Sequence, residues 1–330
     1  MSGIRVVAFG GGHGLSATLR ALRECQARVE LDLTAVVTVG DNGGSSGRLR
    51  TQRGALPPGD LRQALAALAD DAPDAARTAA LFQYRFAATT PAWQEESTVE
   101  PDPLVGHPVG NLVLCGLMEL LGDPIAALDH AAGLLRARGR VLPMSREPVS
   151  IEAQVRGADP TRPDTVVTVR GQHEVAVSTG QVEQVRLLPE SPPACPEAVA
   201  AVQAADWLVF GPGSWYTSVI PHLLVPQLVE AVVASSARRL VLLNLATEPE
   251  TDGLTLPAHL TALREYAPGL TADVVLGDQR WVSDPEPVQQ AAAALGGRLE
   301  LAPVAVPGGE PRHDPAALAR ALLPVLTADR

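Results

Sequence analysis

Four glycine-bearing turns carry the polar chemistry of this chain, each beside apolar sequence: GGGHG (10–14), DNGGSSGR (41–48), LPPGDLR (56–62) and GPGSWYTS (211–218). Backbone N–H groups bared by glycine, hydroxyls and helix N-termini together make a concave, partly positive site that suits phosphate oxygens. Several such turns converging imply a ligand with a diphosphate. In the first, Gly10, Gly11, Gly12, Gly14 and the following Leu15 bring backbone close to a phosphate. Leu15 stands where a GxGxxG register wants its third glycine, and no acid ends the second strand, so the dinucleotide fingerprint is incomplete. A tight strand-to-helix turn without ligand is the plain alternative.

The second turn is the most specific. Gly43 and Gly44 free the backbone, Ser45 and Ser46 add hydroxyls, Arg48 adds a fixed cation, and Asp41 and Asn42 add a carboxylate and an amide. Asp41 could hold Mg2+, accept a ribose hydroxyl or act as a base; an ordinary Asx turn is the bland reading. In the third, Asp60 follows a stiff Pro-Pro-Gly approach, where helix capping competes with ligand or metal binding, and Arg62 is within reach of a phosphate. His107 and Asn111 form a polar cluster before an apolar helix, although a histidine beside proline is more often structural. In the fourth, Gly211, Pro212, Gly213, Ser214, Tyr216, Thr217 and Ser218 place hydroxyls where a helix begins. Tyr216 occupies the position at which a nucleophile elbow needs glycine, so phosphate or ribose binding is favoured over acyl-enzyme chemistry.

Composition narrows the classes. The chain has 330 residues, 46% hydrophobic and 19% charged, with a formal net charge of −11. That acidity argues against a nucleic-acid surface. All 26 basic residues are arginine. A Walker A lysine, a Schiff base and a pyridoxal-phosphate anchor are therefore excluded. Cys25, Cys115 and Cys195 have neither zinc nor disulfide spacing, and the seven histidines show no HxH or HExxH pattern. The N-terminal run leads directly into glycines, reading as a first strand rather than a signal peptide, and no apolar stretch reaches the ~18 residues of a membrane span. The expectation is a cytoplasmic protein without membrane insertion.

The elements that position these turns alternate strand, loop and helix. IRVVAF (4–9), LTAVVTV (33–39), WLVF (207–210), LVLLNL (240–245) and residues 274–276 read as buried parallel strands, and 15–22, 61–68, 110–121 and 315–326 as helices. Residues 88–102 read as a mobile loop. Short alternating runs at 165–169, 174–177 and 182–187 predict a small antiparallel β insertion within 141–188. The fold class is α/β: a Rossmann-like, doubly wound, mainly parallel sheet forming a single domain over 1–330 with that insertion or lobe.

Seven segments in order, VVAFGGGHGLS, LTAVVTVGDNGGSSGRLR, LPPGDLRQAL, FQYRF, GHPVGNLVL, DWLVFGPGSWYTSVIPHLLV and NLATEPETDG, make the chain resemble the gluconeogenesis factor (YvcK-like) family, which shares a superfamily with 2-phospho-L-lactate transferase. The resemblance implies a cytoplasmic regulator of carbon-source use, cell-wall precursor supply and cell shape that binds a nucleotide sugar such as UDP-N-acetylglucosamine. Its enzymatic sister branch moves a phospholactyl group from a nucleotide-activated donor to a deazaflavin hydroxyl with Mg2+. Against the family pattern, His13 replaces threonine, Asn42 a second aspartate and His222 an asparagine, and the segment 247–253 is one residue short. The ligand expected is a nucleotide sugar or other nucleotide diphosphate, placed on the turns above, with Asn244 also among its binding residues. Asp41 and Asp60 would be catalytic, or ligands of Mg2+, if the transferase reading holds. Self-association into a homo-oligomer stays open, and a NAD-binding oxidoreductase is a third reading.

Overall fold

The computed structural model describes residues 3–87, 102–159, 161–246, 249–251 and 253–328. The loop expected at 88–102 lies almost wholly outside them. Among the described residues, seven strands form a parallel sheet: β1 (Ile4–Gly10), β2 (Leu31–Val37), β3 (Arg140–Pro143), β7 (Trp207–Phe210), β8 (Arg238–Leu242), β9 (Val274–Asp278) and β10 (Arg298–Ala302), in the order β10-β9-β8-β7-β1-β2-β3. A three-stranded antiparallel sheet holds β4 (Ser150–Arg156) between β5 (Val166–Arg170) and β6 (Gln181–Leu188). The helices are α1 (Gly12–Cys25), α2 (Gly44–Arg53), α3 (Pro58–Leu68), α4 (Pro73–Gln83), α5 (Val109–Leu121), α6 (Pro124–Leu135), α7 (Gln172–Ala176), α8 (Pro196–Ala204), α9 (Pro226–Ala234), α10 (Leu256–Tyr266), α11 (Pro285–Ala294) and α12 (Pro315–Thr327).

The central strands are apolar throughout because helices cover both faces. Val6, Val7, Ala8 and Phe9 on β1, and all four residues of β7, are buried. Phe9 lies opposite Phe210 in the β1/β7 register, and their rings stack at 4.7 Å, fixing together the two strands whose loops will diverge. Helix α1 packs through Leu15, Thr18, Leu19, Leu22 and Cys25, a stripe at helical spacing. Many of the 29 prolines open helices, since proline at the first turn forfeits only an N–H that has no helical partner.

Two details of the expected insertion change. Residues 141–143 belong to β3, at the edge of the main sheet beside β2. Residues 174–177, read as a strand, lie in and just after the short helix α7. Gly171 at φ 106 breaks the extended run after β5, and Val175 alone of that turn is buried, so alternation there reflects one inward residue per helical turn. No single helix among the described residues is long and apolar enough to cross a membrane.

Candidate functional site

The chain leaves β1 towards β2 on one side and leaves β7 towards β8 on the other, so the connections after these neighbours part and open a crevice at their carboxyl ends. The first and fourth glycine turns face each other there. A Cβ on Gly14 would lie 2.2 Å from the Pro212 carbonyl oxygen, and one on Gly11 would lie 2.5 Å from Asp60 Oδ2, so only glycine permits both approaches. Thr18 Oγ1 donates to the Gly211 carbonyl (3.1 Å), tying α1 to the opposite turn. Asn244 brackets Gly213 twice: its Oδ1 accepts from the Gly213 amide and its Nδ2 donates to the Gly213 carbonyl, both at 3.0 Å. Leu15 is fully buried and packs against Gly10, whose role is equally the shape of the turn.

A cleft of about 320 Å³ opens on one side of this pinch. Gly11, Gly12, His13 and Gly14 line it from the first turn, Gly213, Ser214, Thr217 and Ser218 from the fourth, and Asp41, Asp60 and Gln63 from the second and third. Gln172, His173 and Ala176 of α7 complete it. A second cleft of about 260 Å³, more apolar, lies across the pinch and is lined by Ala17, Pro212, Asn244, Leu245, Ala246, Pro311, Arg312 and His313. Both clefts share His13, Gly14 and Gly213. The N-cap residues of α1 and α2 are glycines with no side-chain cap; the Gly12 amide is drawn to Asp60 and the Gly43 amide to Asp41 Oδ1.

The carboxylates converge on the first cleft. Asp41 Oδ1 accepts from the Gly43 amide (2.9 Å), and its Oδ2 would be 2.8 Å from a Cβ on Gly59, the residue before Asp60. Ser46 is packed against the same glycine. Asp60, in the first turn of α3, is 7% exposed, and its Oδ2 has no hydrogen-bond partner. Burial pushes its carboxyl up to about 7, and the charge of Asp41 adds to the rise against the opposing pull of the Gly12 amide, Gln172 and Arg62. A buried, unpartnered carboxylate oxygen beside a second carboxylate fits a hard divalent cation, which takes one or two carboxylates together with waters and phosphate oxygens.

The remaining candidates gather elsewhere. Ser45 Oγ lies 2.7 Å from His107 Nδ1, Asn111 Nδ2 donates to Ser45 Oγ (2.9 Å), and Arg62 Nε donates to Asn111 Oδ1 (2.8 Å) while its Nη1 reaches Gln83. This chain is buried behind the DNGGSSGR turn, between α2, α3 and α5. Desolvation lowers the Arg62 guanidinium to about 10 and lowers His107 below the usual imidazole range, favouring neutral imidazole with Nδ1 accepting the Ser45 proton. Arg48 is exposed and donates to the Val105 carbonyl (2.9 Å). Neither arginine lines the first cleft. Gly43 flanks α7, Gly44 at φ 47 opens α2, and Tyr216 is buried with its amide on Glu250. His222 is a core residue: its Nε2 faces the Val36 carbonyl (3.0 Å) and its ring meets Phe9 edge-on.

Gln63, Gln172, His173 and Ala176 are cleft residues that the motifs do not announce. Gln63 was accessible to helix geometry, since it is three residues after Asp60 and shares its face, whereas Arg62, two residues on, points away. The α7 residues carry no such signal, because the turn that brings them in depends on the insertion's pairing.

The family model described as 2-phospho-L-lactate transferase CofD matches residues 6–298. A Mycobacterium tuberculosis H37Rv protein is 48% identical over 98% of this chain and 91% of its own length. The gluconeogenesis factor of Listeria innocua is 36% identical over 79% of this chain and 73% of its own. A crystal structure of a UPF0052 family member from Bacillus halodurans superposes with a TM-score of 0.80 at 32% identity, covering 98% of this chain and 99% of that one.

Proposed function

The chain belongs to the CofD family, with gluconeogenesis factors among its relatives, and from that premise we propose that it is a cytoplasmic nucleotide-sugar-binding regulator of the gluconeogenesis factor kind, acting on carbon metabolism, wall-precursor supply and cell shape. The observation that carries the reading is the pinch of Gly14 against Pro212 at the β1/β7 divergence, with polar space on one side and apolar space on the other. Amides of residues 11–14 and hydroxyls of Ser214, Thr217 and Ser218 would hold the diphosphate. The first cleft offers two carboxylates and no guanidinium, so an anionic ligand there needs a divalent cation on Asp41 and Asp60 to offset the repulsion. Calorimetric titration with UDP-N-acetylglucosamine, GDP and NAD in Mg2+ tests this: micromolar binding of the UDP-sugar without turnover supports it, and binding of NAD alone overturns it.

One observation favours a second reading, a phospholactyl transferase. Asp60 leaves its Oδ2 unpartnered, and burial carries its carboxyl up to about 7, the range a proton acceptor for an attacking hydroxyl needs. The acceptor oxygen would attack phosphorus, the bond to the nucleoside monophosphate would break, and the hydroxyl proton would pass to Asp60. Product from a deazaflavin acceptor and nucleotide-activated donor with Mg2+, lost in Asp60→Asn, supports this reading; no product under those conditions removes it.

A further inference from the structure

The insertion does more than decorate the sheet. Its turn α7 lines the first cleft together with the glycine turns, and contacts with residues 40–43 hold it there. Asn42 Nδ2 donates to Glu174 Oε2 (2.7 Å), and the His173 amide donates to Asn42 Oδ1 (2.9 Å). Gly40 lies against the Gln172 side chain, where a Cβ would be 2.7 Å from Oε1, and a Cβ on Gly43 would be 3.3 Å from His173 Cβ. Gly171, at φ 106, leaves room for this arrangement: a Cβ there would lie 1.9 Å from Glu174 Oε2 and 2.3 Å from Asn42 Nδ2. From the other side, the Gly171 amide donates to the Ile151 carbonyl of β4 (2.7 Å) and Val175 is fully buried. The turn is therefore fixed to the insertion sheet and docked on the loop through one side chain that uses both ends of its amide.

The chemistry of the two clefts orients the ligand. The second is walled in part by Ala17, Pro212, Leu245, Ala246 and Pro311, which suit a base, while α7 adds to the first cleft an amide and an imidazole beside the hydroxyls, which suit a sugar. We propose that Asn42 is a positioning residue that docks α7 so that Gln172 and His173 read the sugar of a nucleotide sugar, while the nucleoside diphosphate is held without them. This inference rests on the nucleotide-sugar reading above.

Replacing Asn42 by Asp keeps the acceptor for His173 but sets two carboxylates face to face; changing Glu174→Gln in the same chain returns a donor and restores the pair with reversed polarity. In Asn42→Asp, affinity for UDP-N-acetylglucosamine should fall about fivefold, the size expected for losing one charge-assisted bond at a partly exposed site, while affinity for UDP stays within about twofold. The double variant should recover the sugar affinity. Equal losses for both ligands, or no recovery, would overturn the proposal. Deuterium exchange at amides 172–177 of the ligand-free protein reads docking separately: it should quicken in Asn42→Asp and slow again in the double variant. If the unaltered protein binds neither ligand, the nucleotide-sugar reading and the proposed sugar contact fail together, and the exchange data alone decide the docking.

Discussion

Changing Asp60 to Asn removes a carboxylate that the fold holds in an unfavourable place, and the consequence is a measurable change in how stability depends on pH. In the unfolded chain the group ionises near its ordinary 3.8; in the folded protein burial and the nearby Asp41 carry it to about 7. Between those values the folded state keeps a proton that the unfolded state has released, so this group makes stability fall as pH rises through the window and level off above its upper end. The gap between 3.8 and about 7, at ~1.36 kcal/mol per unit, is about 4 kcal/mol in full. Urea unfolding of both proteins in cation-free buffer should show the advantage of Asp60→Asn growing by about 2–3 kcal/mol between about pH 5 and about pH 8. Adding Mg2+ should restore the unaltered protein at the alkaline end, because the ion binds the ionised carboxylate, and should leave the variant nearly unmoved. A stability difference that is flat across that range would refute the reasoning, since Asp60 would then titrate as it does in the unfolded chain.

Three further outcomes follow from the same geometry. Gly14→Ala places a methyl group 2.2 Å from the Pro212 carbonyl and should destabilise the protein by about 2–3 kcal/mol, as an overpacked contact does, checked by thermal unfolding. Asn244→Ala frees Gly213 from two hydrogen bonds and should cost about 1–2 kcal/mol of stability, with a larger proportional loss of nucleotide affinity in a calorimetric titration. Burial lowers His222 from 6.5 to about 4, so the folded state resists a proton that the unfolded state accepts and stability falls as pH drops through that window, by about 3 kcal/mol in full; His222→Asn should flatten this part of a urea-denaturation profile, and an unchanged profile would remove the assignment.

The parallel sheet was legible because strands covered on both faces are written as unbroken apolar runs, as in IRVVAF and WLVF, which end at glycines where the chain must turn. The facing glycine turns were legible for a related reason: Gly14 and Gly11 mark close approaches that a side chain would block. Arg62 illustrates what spacing alone hid. Two residues along a helix is a rotation of about 200°, so a side chain next but one to Asp60 points to the opposite side, into Asn111 and Gln83. Arg48 was placed by its company in the DNGGSSGR turn, yet its side chain reaches outward to Val105. The α7 wall was hidden because five residues give too little periodicity to separate helix from strand, and because the contacts that fix it, Asn42 to Glu174 and His173, join positions about 130 residues apart.

The most direct test of the account is the affinity for UDP-N-acetylglucosamine measured by calorimetry in Mg2+ and again in a chelator, at a pH above the Asp60 value. A cleft with two carboxylates and no guanidinium predicts micromolar binding in Mg2+ that weakens by about tenfold or more in chelator, the scale of a lost ionic bridge in a partly buried site, and that loses this metal dependence in Asp60→Asn. Binding equally tight with and without the cation would contradict a diphosphate held between the two acids and the glycine turns.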